Sequence, residues 1–307
     1  MKWTGVMPAL TTAFDANLNI DYPFVARHAL WQIENGVSGL ITLGSLGEAA
    51  TLSFEERISL VDTLVKAAAG KVPVVAAVSA LSTAEAVKLA QAAQFYGASG
   101  LMILPPWVYK GDWPEMKAYI AAVLNATPLE AMLYNNPVAY GTDFTPEQIQ
   151  ELVAEHPNLV AVKESSTDVR RVTAIRALSG HRPAVFVGVD DAIVEGIYAG
   201  AVGWVAGLVN ALPRESVELF RLASHGSTEE AFELYRWFLP LLRMDTVPKF
   251  IQLIKQVQQE LGVGCARVRG PRMELQGEEL TATRAAVRTA MASRPKPAIS
   301  STPFTFK

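Results

Sequence analysis

The sequence repeats one unit eight times, a short and nearly uninterrupted apolar run followed by a longer stretch with helical periodicity. The runs are residues 5–12, 39–43, 72–78, 100–104, 129–134, 159–163, 184–188 and 203–206. Strands that are buried on both faces read as continuous apolar runs. Eight such units in regular succession favour a closed sheet over an open doubly wound one. We therefore predict an α/β fold, a (β/α)8 (TIM) barrel.

The stretches between the runs carry signals for helix starts. Ser53 precedes Glu56 by three residues, the spacing of a capping box, and Ser82 and Thr145 occupy similar positions. Further helical patterns follow the eighth run, over about 212–261 and 277–292, which is more than one helix needs to close a barrel. We predict a barrel over 1–224, a C-terminal helical extension over 225–292 and a flexible tail over 293–307.

Composition narrows the classes of function. Half of the 307 residues are hydrophobic, and the net charge of -3 provides no basic field for nucleic acid. Cys265 is the single cysteine and the four histidines are scattered, so we expect no metal site. No apolar run is long enough to span a membrane. These features predict a cytoplasmic protein that handles small molecules.

Lys163 is the strongest candidate for chemistry, because it ends the sixth apolar run. In a barrel, residues at the C-terminal ends of strands face the active site. A lysine among apolar residues is partly desolvated, which lowers its pKa and favours the neutral amine that attacks a ketone to form an imine. A lone lysine at a strand end is more often solvent-facing. The residues at the neighbouring strand ends therefore decide which of the two interpretations of Lys163 is favoured.

Two neighbouring strand ends carry residues suited to the same chemistry. Tyr134 ends the fifth run, where its phenol could transfer protons, although a core tyrosine is an equal alternative. The loop 44–48 offers backbone N–H groups and the Ser45 hydroxyl to a carboxylate, while Glu48 is expected to hold the turn. Asp190 and Asp191 follow the seventh run, where helix N-capping is favoured over a metal pair.

Three motifs together resemble one superfamily. The sequence reads GSLGE at 44–48, YNNP at 134–137 and VAVKES at 160–165, each at a predicted strand end. Their order and spacing resemble the dihydrodipicolinate synthase / N-acetylneuraminate lyase superfamily over about 3–290. The resemblance implies a TIM-barrel lyase that forms a Schiff base through Lys163 with a pyruvate-like 2-oxo carboxylate. It also implies a homo-oligomer, a dimer or tetramer, with no metal or organic cofactor.

The resemblance also implies roles for the site residues. Tyr134 would be the proton-transfer tyrosine, and Ser45 would relay protons and help to hold the substrate carboxylate. The N–H groups of Ser45 and Leu46 would bind that carboxylate, and the Val205 carbonyl would lie near the reacting centre. Gly188, at the end of the seventh run, is a further candidate substrate contact.

This chain differs at three positions from the dihydrodipicolinate synthases of the superfamily that it resembles. Leu46 stands where a second hydroxyl residue is common, and Ala139 stands where synthases carry an arginine that binds the aldehyde substrate. Val108 aligns with the interface tyrosine of the synthases, with Tyr109 beside it as a potential substitute. These changes argue against lysine biosynthesis.

Other features favour a catabolic function. YNNP at 134–137, GWVAG at 203–207 and the segment 236–248 look closer to the catabolic branch of dehydratases and deaminases of hydroxylated 2-oxo acids. That branch includes pyrroline-4-hydroxy-2-carboxylate deaminase, and an aldolase uses the same imine. The alternatives are an authentic 4-hydroxy-tetrahydrodipicolinate synthase and a barrel that binds a 2-oxo acid without catalysis.

Overall fold

Eight parallel strands form the centre of the computed structural model, which describes residues 1–295. Each strand pairs with its neighbours in the order β1-β8-β7-β6-β5-β4-β3-β2, and a bridge between Ala9 and Ile41 joins the first strand to the second. The strands are β1 (Gly5–Pro8), β2 (Leu40–Thr42), β3 (Val74–Val78), β4 (Gly100–Ile103), β5 (Ala131–Asn135), β6 (Leu159–Glu164), β7 (Ala184–Val187) and β8 (Gly203–Ala206). The predicted (β/α)8 barrel is confirmed, and every predicted apolar run coincides with one strand, although β5 and β6 extend one residue beyond their runs.

Twelve α-helices occur in the described residues and surround or extend this sheet. They are α1 (Tyr22–Glu34), α2 (Phe54–Ala68), α3 (Thr83–Phe95), α4 (Trp113–Asn125), α5 (Pro137–Tyr140), α6 (Pro146–Glu155), α7 (Arg170–Ser179), α8 (Ile193–Tyr198), α9 (Pro213–Ser224), α10 (Thr228–Leu242), α11 (Phe250–Glu260) and α12 (Gly277–Ala292). The strands between them are almost entirely buried, because helices cover the outside of the sheet and side chains fill its centre.

The helix starts follow the local signals in the sequence. Ser53 and Glu56 form a full capping box at α2, and Thr145 forms one with Gln148 at α6. The Ser82 hydroxyl accepts a hydrogen bond from the Glu85 N–H at α3. Each cap satisfies backbone groups that the first helical turn leaves without intrahelical partners, so these helices begin where the sequence indicates.

The helices after α9 form the C-terminal extension. The predicted division at 224/225 falls in the loop between α9 and α10, while residues 296–307 of the predicted tail lie outside the described residues. The extension is tied to the barrel by a buried ion pair between Lys255 of α11 and Glu48 of the loop after β2, 2.7 Å apart. The Arg269 N–H donates to the second oxygen of Glu48. The extension therefore packs on the mouth of the barrel, where the strand ends lie.

None of the helices within residues 1–295 is both long enough and apolar enough to cross a membrane.

Candidate active site

A cavity of about 490 Å³ opens at the C-terminal ends of the strands. It contains every residue that the sequence predicted for the site, and it is also lined by residues of the extension. The predicted lining residues are Ser45, Leu46, Tyr134, Lys163, Gly188 and Val205. Side chains from five different strands or strand-end loops thus meet in one pocket, as expected for this architecture.

Lys163 lies near the end of β6, in register with Tyr134 on β5 and Phe186 on β7. Its side chain is buried, with 7% of the residue exposed, and Nζ lies 4.1 Å from the centre of the Tyr134 ring. Nζ forms no hydrogen bond or ion pair with any described residue. Burial lowers the pKa of the Lys163 ammonium below its ordinary value of 10.5, against the opposing charge of Asp245. The lowered pKa favours the neutral form of the amine, which is the nucleophilic one.

Gly188 makes room for this lysine. A Cβ atom at position 188 would lie 2.7 Å from both Cγ and Cε of Lys163 and 2.0 Å from the Ser165 hydroxyl oxygen. Side-chain atoms cannot approach so closely, so any larger residue would push the lysine stem out of place. The Ser165 hydroxyl also donates to the Gly188 carbonyl, 3.0 Å away. Gly188 thus fixes where the Lys163 amine stands in the pocket.

Tyr134 belongs to a small group of hydroxyls beside Lys163. Burial raises the pKa of Tyr134 to about 12, against the lowering effect of hydrogen bonds that include the one donated by the Asn136 amide at 2.9 Å. The Ser45 and Tyr140 hydroxyls share a short hydrogen bond. The Tyr134 and Tyr140 rings meet edge to face, 5.9 Å apart. The hydroxyl groups of Tyr134, Ser45 and Tyr140 therefore lie together on one side of the lysine. All three belong to the same polypeptide.

Tyr109 does not contribute to the pocket of its own chain. It is 55% exposed, and its hydroxyl donates to the Glu115 carboxylate at 2.8 Å. The group that contacts Ser45 is Tyr140, three residues after the Pro137 of the YNNP motif. Sequence reasoning missed Tyr140, because it considered only the aligned position 108 and its neighbour.

The loop after β2 presents backbone donors to the cavity. Within residues 1–295, the N–H groups of Ser45 and Leu46 donate no hydrogen bond. Leu43 and Glu48, at either side of them, adopt left-handed backbone conformations with φ of 64° and 57°. Non-glycine residues rarely take this conformation unless the surrounding structure holds them there. The contacts of Glu48 with Lys255 and Arg269 supply such a hold and indicate the structural role expected for it.

Asp190 caps backbone groups, but not those of its own helix as the sequence suggested. Its carboxylate accepts hydrogen bonds from the N–H groups of Gly207 and Leu208 and from the indole of Trp204, at 2.8 to 3.1 Å. It therefore holds the turn after β8. Burial raises the pKa of Asp190 to about 6, despite these donors. Among the described residues no group of three or more potential ligands gathers that could hold a metal ion.

Two charged residues of the extension line the cavity and were not predicted. Asp245 follows α10, and burial raises its pKa well above the usual range for a carboxyl, with the charge of Asp190 as the next cause. Arg272 follows α11 and lies 3.9 Å from Glu48, close to the Ser45 loop. The rule that selects strand ends could not find either residue. The segment 236–248, singled out by its resemblance, was the only signal that pointed near Asp245.

A family model for the dihydrodipicolinate synthetase family matches residues 2–290. The chain belongs to this family. The family assignment made from three motifs is therefore confirmed. Members of the family are lyases, so the predicted general class of reaction is confirmed as well.

Curated relatives have different activities. The chain is 32% identical over 270 residues to a 4-hydroxy-tetrahydrodipicolinate synthase of Methanospirillum hungatei, covering 87% of this chain and 92% of the relative. It is 31% identical over 266 residues to a protein of Escherichia coli K12 described as a probable 2-dehydro-3-deoxy-D-pentonate aldolase, covering 85% and 88%. Similarity at this level shows the family and not the substrate.

Solved structures agree closely in fold. The prophage protein YagE of E. coli K12, solved in complex with pyruvate, matches with a TM-score of 0.89 at 25% identity, covering 94% of this chain and 99% of that one. The 4-hydroxy-tetrahydrodipicolinate synthase of Methylacidiphilum fumariolicum matches with a TM-score of 0.90 at 28% identity, covering 95% and 98%.

Proposed function

We propose that this protein is a lyase that binds a small 2-oxo carboxylate as an imine on Lys163. The observation that carries the proposal is the environment of the Lys163 amine. Its amine is buried in a cavity, lies over the Tyr134 ring and lacks a hydrogen-bond or ion-pair partner in the described residues. A buried cation without a partner is costly, and a lysine kept in that state is suited to act as a nucleophile. The complex of YagE with pyruvate supports the choice of ligand.

The substrate carboxylate would lie on the loop after β2. The N–H groups of Ser45 and Leu46 would donate to it, and Arg272 would add positive charge nearby. The neutral Lys163 amine attacks C2, and loss of water gives the iminium. Val205 and Gly188 would line the space around this centre.

Protons would move through the hydroxyl group beside the lysine. The iminium draws electrons from C3, so a C3 proton can be removed to give an enamine. Tyr134 is placed to exchange that proton, and the hydrogen bond between Ser45 and Tyr140 provides a path onward. The Tyr134 phenol is normally protonated, because its pKa is raised by burial, so it first serves as the acid that helps water to leave.

Borohydride trapping with pyruvate tests the proposal. We expect reduction to leave a mass increase of one reduced pyruvate on the peptide that contains Lys163, and on no peptide of a Lys163→Arg variant. Lys255 provides an internal control, since it is also buried but is held by Glu48. A folded protein without an adduct from pyruvate or from longer 2-oxo acids would refute the proposed function.

A second candidate is a 4-hydroxy-tetrahydrodipicolinate synthase, which the names of several relatives favour. The position that carries an arginine in synthases is Ala139, and it lines the cavity here, so a second anionic substrate lacks that clamp. This observation supports our proposal of a function in the catabolic branch, with pyrroline-4-hydroxy-2-carboxylate deaminase among the candidate activities. Rapid turnover of pyruvate with aspartate semialdehyde would favour the synthase instead.

The third candidate binds a 2-oxo acid without catalysis. It would be supported by an imine adduct on Lys163 without turnover across a panel of 2-oxo acids.

We further propose a homo-oligomer, a dimer or tetramer, because the loop after β4 exposes Trp107, Val108 and Tyr109 together. Light scattering during size-exclusion chromatography tests the oligomer. The cytoplasmic location and the lack of a cofactor stay predictions from the sequence.

A further inference from the structure

Asp245 brings a carboxyl group from the extension into the cavity. It lies in the 3-10 turn Arg243–Thr246 between α10 and α11. Its side chain covers Gly207, which follows β8, because a Cβ atom at Gly207 would lie 2.1 Å from Oδ1 of Asp245. The glycine leaves the space that the carboxyl group fills. The barrel and the extension are thus shaped to place this group at the mouth.

The Asp245 carboxyl group has no protein partner in the part of the chain that the structure describes. It accepts no hydrogen bond there and forms no ion pair. The buried carboxylates at the mouth do have partners, since Asp190 accepts hydrogen bonds from three donors and Glu48 is paired with Lys255. Asp245 is partly buried and lines the cavity, so its unpartnered carboxyl group is available to a ligand.

The charged groups around Asp245 favour its protonated form. Burial raises its pKa, and the negative charges of Asp190 and Asp191 raise it further, while Lys163 opposes them. The positive charge of Lys163 lowers the pKa of Asp245. This charge changes during the reaction cycle, as Lys163 becomes neutral, forms the imine and is released again by hydrolysis. This environment favours the protonated carboxyl group, which can release its proton to a ligand.

The strand order places Asp245 on the opposite side of Lys163 from Tyr134. Tyr134 lies on β5, next to β6, whereas Asp245 lies over the end of β8, two strands further in the other direction. A substrate bound to Lys163 would therefore have one proton-transfer group on each side. Elimination uses a base and an acid, because one proton leaves C3 and another must reach the departing group, and this arrangement supplies a separate group for each.

We propose that Asp245 is the general acid that protonates the C4 hydroxyl of a 4-hydroxy-2-oxo carboxylate bound to Lys163. This inference rests on the proposed imine and selects dehydration among the reactions that the imine allows. After Tyr134 removes the C3 proton, the enamine nitrogen re-forms its double bond to C2. The C2–C3 electron pair moves to C3–C4, the C4–O bond breaks, and the hydroxyl leaves as water with the Asp245 proton. Hydrolysis then frees the unsaturated 2-oxo acid.

Aldol cleavage places the opposite demand on the same position. Breaking the C3–C4 bond requires a base to take the proton from the C4 hydroxyl. A protonated carboxyl cannot do so, but it can donate to that oxygen. The state of Asp245 therefore decides between two reactions that Lys163 alone does not distinguish.

The probe 4-hydroxy-2-oxobutanoate tests the choice, because dehydration gives 2-oxobut-3-enoate while aldol cleavage gives pyruvate and formaldehyde. We expect the full-length protein to dehydrate it and Asp245→Asn to slow dehydration roughly 100-fold or more. Asp62→Asn, a change of a surface carboxylate on α2 that pairs with Lys66 and lies outside the cavity lining, is expected to retain activity within about threefold, since surface changes are usually mild. Borohydride trapping of pyruvate on Lys163 should be equal in all three proteins.

A leaving group that needs no proton separates acid catalysis from a structural effect. Chloride release from 4-chloro-2-oxobutanoate should be nearly the same in the wild type and in Asp245→Asn. The assignment is overturned if Asp245→Asn dehydrates the hydroxy probe normally, if it loses both reactions equally, or if the wild type yields only pyruvate and formaldehyde. It is also overturned if the wild type forms the imine but no 2-oxobut-3-enoate. Absence of the Lys163 adduct would instead refute the proposed function itself.

Discussion

Two buried lysines lie near the mouth of this barrel, and their surroundings differ in one decisive way. Lys163 and Lys255 each place Nζ over an aromatic ring, at 4.1 Å from the centre of Tyr134 and 4.5 Å from the centre of Phe14. Burial lowers the pKa of both. Within residues 1–295 only Lys255 has hydrogen-bond partners, since it donates to the Glu48 carboxylate at 2.7 Å and to the Thr12 carbonyl at 2.8 Å.

This difference supports a structural role for Lys255 and the proposed nucleophilic role for Lys163. The Glu48 carboxylate stabilises the ammonium form of Lys255 and opposes its loss of a proton. The Lys163 amine has no such contact among residues 1–295, so burial is opposed only by the more distant charges of Asp245, Tyr140 and Asp190. Burial and contact with an aromatic ring are shared by both lysines and therefore do not distinguish them. The lack of a partner within residues 1–295 and the open cavity in front of the amine support Lys163 as the proposed nucleophile.

The largest expected effect comes from removing the reactive amine. Lys163→Met should lower turnover about 10⁴-fold or more, because loss of a nucleophile removes the covalent route altogether. Lys255→Met should still form the imine in the fraction that folds. Steady-state rates and borohydride trapping on both variants check this. Equal trapping on the two lysines would remove the distinction between them.

The next effect separates the ring of Tyr134 from its hydroxyl. Tyr134→Phe keeps an aromatic ring over Lys163 but removes the proton-transfer group, so exchange of the C3 protons of pyruvate with deuterium should slow by about 10²- to 10⁴-fold. Trapping of the imine should persist. Exchange is followed by proton NMR in heavy water. Unchanged exchange would show that the phenol does not carry the proton.

The position of Lys163 in the pocket could be predicted from the sequence, whereas the contacts of Lys255 could not. Lys163, Tyr134 and Ser45 each follow a short apolar run, and strand ends converge in a barrel, so local pattern and topology together predict that they meet. Lys255 lies in a helix and contacts Glu48 across 207 residues of sequence. No local signal specifies such a pairing, because it depends on how the extension folds back over the mouth.

The same reason explains the other omissions. Asp245 and Arg272 come from turns of the extension, and Tyr140 from the short helix α5, none of which is a strand end. The sequence predicted that Asp190 caps the helix that follows it, and this was wrong, because its carboxylate accepts hydrogen bonds from backbone groups after the next strand. Sequence patterns thus predicted the elements and the residues on them, whereas contacts between distant segments required the structure.

A stability measurement tests the structural lysine. Lys255→Met leaves Glu48 buried without its main cation, which should lower the free energy of unfolding by about 3–5 kcal/mol, as when one partner of a buried pair is removed. Adding Glu48→Gln should restore more than half of the loss, because the amide carries no charge and can still accept from the Arg269 N–H. Urea denaturation of the two variants checks this. A double variant as unstable as the single one would show that packing, not charge, dominates.

The smallest effect has the opposite sign and depends on pH. Lys163→Met should raise the free energy of unfolding near neutral pH, because it removes a buried amine that has no partner in the described structure, while Asp190 keeps its three donors. The pKa of Lys163 is lowered in the folded state, so the unfolded chain binds the proton more tightly, and each unit of the shift costs the wild type about 1.4 kcal/mol. This cost is full below the folded pKa and vanishes as the pH rises past the ordinary value of 10.5. The advantage of Lys163→Met should therefore shrink as urea denaturation is repeated at increasing pH. A variant that is less stable than the wild type at every pH would mean that Lys163, like Lys255, is held by favourable contacts.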